Sequence, residues 1–167
     1  MSAAKIANVD RLQATLIAHA GAVMVVGLLS GFGLLFALLE QVRIWPLPAF
    51  SEGPLPGSVR GWSAAHVGGI LNGVMMIAIA LCLPIVALRE VVARRVVWAM
   101  IFTGWANTVF YQFGNLAANR GLSGDANVQG GASVAGLIAY LPAALATVIT
   151  TVAVLALTLG AWRKARA

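Results

Sequence analysis

Residues Gly61 to Pro84 read GWSAAHVGGILNGVMMIAIALCLP, an apolar stretch without a single Asp, Glu, Lys or Arg and with one histidine and one asparagine set inside it. Crossing a hydrocarbon core of about 30 Å takes about 20 such residues in a helix, so a membrane span is expected here. The rest of the chain agrees: of its 167 residues 60% are hydrophobic and 10% charged. A mean hydropathy of +0.91 leaves too little polar surface to cover a soluble globule. The length allows four crossings with short connections and no separate soluble domain.

Working outward, the apolar runs predict an all-α membrane protein, a four-transmembrane-helix bundle occupying residues 1–167 as a single domain. Its helices are expected over about 12–39, 63–88, 93–117 and 133–162. The first is too long for a signal-peptide core and reads as retained. Between the first two, Pro46, Pro48, Gly53, Pro54, Pro56 and Gly57 stop a helix and argue against sheet pairing. Arg89 to Arg95 reads as a tight polar turn, and a Gly/Asn-rich loop through Arg120, Gly121, Gly124, Gly130 and Gly131 precedes the last helix.

The net charge of +6 would suit nucleic acid in a soluble protein, but here the basic residues sit between apolar runs and report topology instead. Lys5, Arg11, Arg89, Arg94, Arg95, Arg163, Lys164 and Arg166 share one side, against Arg43, Arg60 and Arg120 on the other. By the positive-inside rule both termini are cytoplasmic in a multi-pass protein. Trp45, Trp62 and Trp162 fall at run boundaries, where aromatic belts form. The lone cysteine, Cys82, has no partner for an intramolecular disulfide and reads as a small buried residue. Gly27 with Gly31, and Ala135 with Ala139 and Ala143, are small-xxx-small patterns that serve equally within a protomer or between protomers.

Polar side chains in hydrocarbon are costly and ask for a partner or a purpose. His66 and Asn72 on the second helix, and Asn107 and Tyr111 on the third, stand out, with Asn115 continuing an i, i+4, i+8 stripe. At about 1.5 Å of rise per residue, His66 lies about 5 Å and Asn72 about 14 Å below the outer rim, Tyr111 about 9 Å and Asn107 about 15 Å. Four such residues in one slab suggest a pocket. Gly68, Gly69 and Gly73 leave the helix bare beside His66, where something large and flat could lie. Read singly, His66 also suits an interfacial residue, Asn72 and Asn107 interhelical glue, and Tyr111 a packing aromatic; Met75, Met76 and Met100 read as core. His19 is the other candidate ligand, but about 15 Å of depth separates it from His66, which disfavours a bis-histidine haem within one chain.

The stretch Gly61 to Pro84 and a second one, Gly104 to Gly124 (GWANTVFYQFGNLAANRGLSG), resemble the two signature regions of the styrene oxide isomerases, sharing GW at each start, AH, LNG, GWAN, FY and NRGL. A weaker A-H-G around His19 extends the likeness through the first helix, and the last helix agrees in character more than in letters. The resemblance implies a homotrimer with ferric haem b bound between neighbouring protomers and His66 of the AH motif as its axial ligand. It places Gly69 and Gly73 beside that cofactor, and Asn72, Asn107 and Tyr111 in the pocket. Gly69 departs from the family's proline, which could soften the helix there. The implied reaction turns styrene oxide and related small apolar aryl epoxides into arylacetaldehydes: ferric iron acts as a Lewis acid and a 1,2-hydride shift follows. Tyr111 and Asn72 would position the epoxide, with Asn107 in support. A bacterial inner-membrane location in contact with membrane lipid, and association with a styrene monooxygenase, are implied in the same way. Two other classes fit the polar residues alone: a membrane haem protein for electron transfer or sensing, and a small transporter or structural bundle.

Overall fold

The computed structural model describes residues 3–53 and 55–167, with side chains from Asn8 onward. Pro54 of the first loop and the Lys5 side chain fall outside them. Four helices make up the described chain: α1 (Ala3–Leu39), α2 (Val59–Val86), α3 (Glu90–Leu116) and α4 (Val134–Ala165). α1 therefore begins well before residue 12. The segment before it is polar but free of proline and glycine, so nothing in it stops the helix from continuing outward. α2 starts at Val59, because the Ser58 hydroxyl caps it by accepting from Gly61 N at 3.0 Å. It ends at Val86, just past Pro84, with Ala87 left-handed at φ 51°.

Two expectations about the connections are corrected. The polar turn is confined to residues 87–89, and Arg94 and Arg95 lie exposed within α3 rather than before it. The first loop does contain sheet: β1 (Gln41–Val42) pairs antiparallel with β2 (Ser51–Glu52). The pairing uses residues that flank Pro46 and Pro48, so no proline has to donate to the ladder.

Neighbouring helices run antiparallel. Gly27 meets Gly69 between α1 and α2, Asn72 meets Asn107 between α2 and α3, and Thr103 meets Thr150 between α3 and α4. α3 touches all three of the others. Its central place explains its composition. α1, α2 and α4 are long and apolar enough to cross a membrane, whereas α3 carries Thr103, Asn107, Gln112 and Asn115, each bonded to a neighbouring helix or its cap.

The bundle has two unlike halves. Towards the α2–α3 turn, Leu16, Val23, Met76, Val97, Met100 and Ile101 form a buried apolar core, in keeping with the reading of Met76 and Met100. Towards Ser58 and Ala117 lie the polar pairs. The small-residue patterns are used inside the protomer: Ala139 is fully buried against Gly114 and Gly121, and Gly27 lies against Gly69. Cys82, expected inside, is exposed on the outer face of α2.

Candidate active site

α2 carries the candidate residues on two flanks. On the flank towards α1, the His66 ring lies over Gly31, where a Cβ would come within 2.9 Å of Nδ1. Its Nδ1 is 3.0 Å from the Gly27 carbonyl oxygen. A carbonyl only accepts, so Nδ1 carries the proton and donates it, and the lone pair is left on Nε2. That is the tautomer a metal-ligating histidine needs, with its second nitrogen held by a carbonyl.

On the flank towards α3, Asn72 is buried. Its amide nitrogen donates to the Gly68 carbonyl one turn back at 2.7 Å, and its Oδ1 accepts from Asn107 Nδ2 at 2.8 Å. Tyr111 packs its ring over Gly68, where no Cβ would fit. The structure thus brings Asn72, Asn107 and Tyr111 together around one turn of α2. His66 stands apart from them, two residues and more than half a helical turn from Gly68.

The glycines beside His66 have a different use from the one expected. A Cβ at Gly69 would sit 2.6 Å from the Gly27 Cα, and one at Gly73 would meet Met24. The space expected beside them is filled by α1, whose backbone they allow to approach. What remains uncovered on α2 is an outward stripe of Ala64, Val67, Leu71 and Val74, lying between the two flanks.

His19 is held the other way round. Trp105 Nε1 donates to its Nδ1 at 3.1 Å, with the two rings edge to face. That lone pair is occupied, and the ring proton sits on Nε2. Of the two histidines, only His66 presents a nitrogen lone pair that no protein group has taken.

Asn115 closes the end of the site. Its Oδ1 accepts from Ser58 N at 2.9 Å, while its buried Nδ2 has no partner among the described residues. A cavity of about 610 Å³ opens here between α2 and α3, reaching from Gly57 and Ser58 down to Ala64 and Tyr111. Sequence reasoning passed over the Gly27 carbonyl, Trp105 and the Gln112–Ser30 bond of 2.7 Å between α3 and α1. Gln112 was detectable as a further amide in an apolar run. The Gly27 carbonyl was not, since backbone groups leave no mark in a sequence.

A family model described as styrene oxide isomerase matches residues 12–162. The chain belongs to the styrene oxide isomerase family. A styrene-oxide isomerase of Pseudomonas fluorescens is 38% identical over 118 residues, which cover 71% of this chain and 69% of that relative. As a member of this family the protein is an isomerase, and the matched span takes in α2 and α3 whole, with every candidate site residue. For a styrene oxide isomerase, the arrangement offers one free imidazole lone pair and, across α2, a phenol beside two linked carboxamides.

Proposed function

We propose that the protein isomerises styrene oxide and related aryl epoxides to arylacetaldehydes, with ferric haem b as its cofactor and His66 as the single protein ligand. The observation that carries this is the Nδ1 bond from His66 to the Gly27 carbonyl, which frees Nε2 for a metal. Among the described residues, no three His, Cys, Asp or Glu side chains come together. A macrocycle that fills four positions of its own suits a lone histidine; a bare ion does not. When bound, ferric haem supplies a Lewis acid that weakens the benzylic C–O bond and so permits the 1,2-hydride shift.

The chain's own groups do the rest. Tyr111 can donate its hydroxyl to an epoxide oxygen, and Asn107, one turn away, keeps a second Nδ2 hydrogen beyond the one it gives to Asn72. Asn72 spends one amide hydrogen on Gly68 and holds Asn107 through Oδ1, so its second amide hydrogen is left to position the epoxide, with Asn107 in support. Apolar walls of α2 and α3 keep water from adding to the developing cation and giving a diol.

His66 and Tyr111 flank the exposed stripe of α2, and His66 does not line the cavity that reaches Tyr111. This favours a site completed between protomers, with the cofactor at the contacts of a homotrimer. α3 runs antiparallel to α2 along its length and is the fourth span, its polar groups turned inward. Both termini face the cytoplasm of a bacterial inner membrane, and a styrene monooxygenase that makes the epoxide is the matching partner. An electron-transfer haem with two axial histidines is less well supported, because His19 Nδ1 is already bonded to Trp105.

The test is direct: purify the ferric protein, add styrene oxide without any reductant, and follow phenylacetaldehyde. Aldehyde formation without redox change is expected. A haem protein that forms none, but cycles between oxidation states, would support the electron-transfer reading instead.

A further inference from the structure

The cavity between α2 and α3 has a shape and a rim that the reaction itself does not require. Its floor reaches Tyr111, and its mouth lies at the end of the bundle marked by Ser58 and Ala117. Two further cavities lie at the opposite end, near Leu83 and Leu88, away from every candidate site residue. Gly61 and Ala64 line it on the α2 side, Phe110, Tyr111 and Asn115 on the α3 side, and Ala118 on the loop side.

Hydrogen bonds pin the loop that forms this lip. Asn119, with no exposed surface, donates to the carbonyls of Ser123 and Asp125 at 3.1 and 3.0 Å and accepts from Gly121 N at 3.1 Å. This clamp holds Arg120 at φ 58° and Gly121 at φ 65°. The left-handed backbone is unfavourable for arginine, and Gly121 has no room for a Cβ against Ala139.

Arg120 lies at the mouth, with Arg60 also lining it, and among the described residues no carboxylate lines the cavity. Guanidinium groups at a membrane rim sit at headgroup level, so the opening meets the interface and not the acyl chains. Small aryl epoxides, apolar with one polar oxygen, concentrate at that interface.

We infer that this cleft is the portal through which aryl epoxides reach Tyr111, and that Ala118 lies on its lip. The inference rests on the proposed isomerase activity. Its test is built so that the two can fail separately. In a Cys82→Ser background, Ala118→Cys is labelled with a bulky, water-soluble maleimide, with Val128→Cys, 99% exposed in the same loop, as the control.

Labelling of Ala118→Cys is expected to lower kcat/KM for styrene oxide about tenfold relative to the same protein unlabelled, chiefly through KM, with the haem absorption unchanged. Labelling of Val128→Cys is expected to leave turnover as it was. Saturation with ethylbenzene, an unreactive analogue without the oxygen, should slow labelling of Ala118→Cys and not of Val128→Cys, whether or not the protein is an isomerase. A fully labelled Ala118→Cys protein with undiminished kcat/KM would overturn the portal. So would a thiol at 118 that does not react, or one that ethylbenzene fails to protect. Absence of aldehyde from unlabelled protein would instead count against the isomerase reading.

Discussion

Asn107 on α3 donates its side-chain amide to Asn72 Oδ1 on α2 at 2.8 Å, and Asn72 passes its own amide proton to the Gly68 carbonyl. The two carboxamides are therefore one unit spanning a helix pair, and it ends at the glycine over which Tyr111 packs.

Replacing Asn107 by Ala leaves a buried acceptor on Asn72 without a donor. Such a loss between membrane helices costs about 1–2 kcal/mol. Thermal unfolding in detergent should show a lower midpoint, and Asn72→Ala combined with Asn107→Ala should cost less than the sum of the two singles. Additive losses would mean that the two amides do not act as one unit.

Tyr111→Phe removes only a hydroxyl from a ring already packed over Gly68. Loss of one donor to a developing oxyanion lowers kcat by about a hundredfold. Steady-state turnover of styrene oxide should fall by that order with haem content and unfolding midpoint unchanged. Turnover equal to wild type would remove the phenol from the chemistry.

Gly31→Ala puts a methyl 2.9 Å from His66 Nδ1, and the imidazole has to turn away from the Gly27 carbonyl. Loss of a carbonyl partner behind a metal-ligating histidine weakens binding about 10- to 100-fold. Haem titration of the apoprotein should show that weakening while helix content by circular dichroism stays the same.

Gly69→Ala gains about 1 kcal/mol of helix propensity but sets a methyl 2.6 Å from the Gly27 Cα, a backbone atom that no rotamer change relieves. The net effect should be destabilisation by about 1–3 kcal/mol, read from thermal unfolding. A higher midpoint would mean that α1 and α2 are not in contact there.

The helices were legible because apolar runs of membrane length have few other readings, and the meeting of Asn72 with Asn107 and Tyr111 followed from rise per residue alone. Rotation about the helix axis was harder. Gly69 and Gly73 looked like room for a ligand when they are the seats of α1. A missing Cβ has the same letter whether a cofactor or a neighbouring backbone fills the gap. The start of α1 was missed because its first turns are polar, and hydropathy reports lipid contact rather than helicity. The Gln41–Glu52 pairing lay outside any composition argument, since two-residue strands depend on where the loop returns.

The two histidines differ in the role of Nδ1: that of His66 donates a hydrogen bond to a carbonyl, and that of His19 accepts one from Trp105. The most direct measurement is the visible absorption spectrum of purified His66→Ala and His19→Ala beside wild type, each supplied with haem during expression. A Soret band in wild type and in His19→Ala, and its loss in His66→Ala, is the expected result. A full Soret band in His66→Ala, or its collapse in His19→Ala, would contradict ligation by His66 alone.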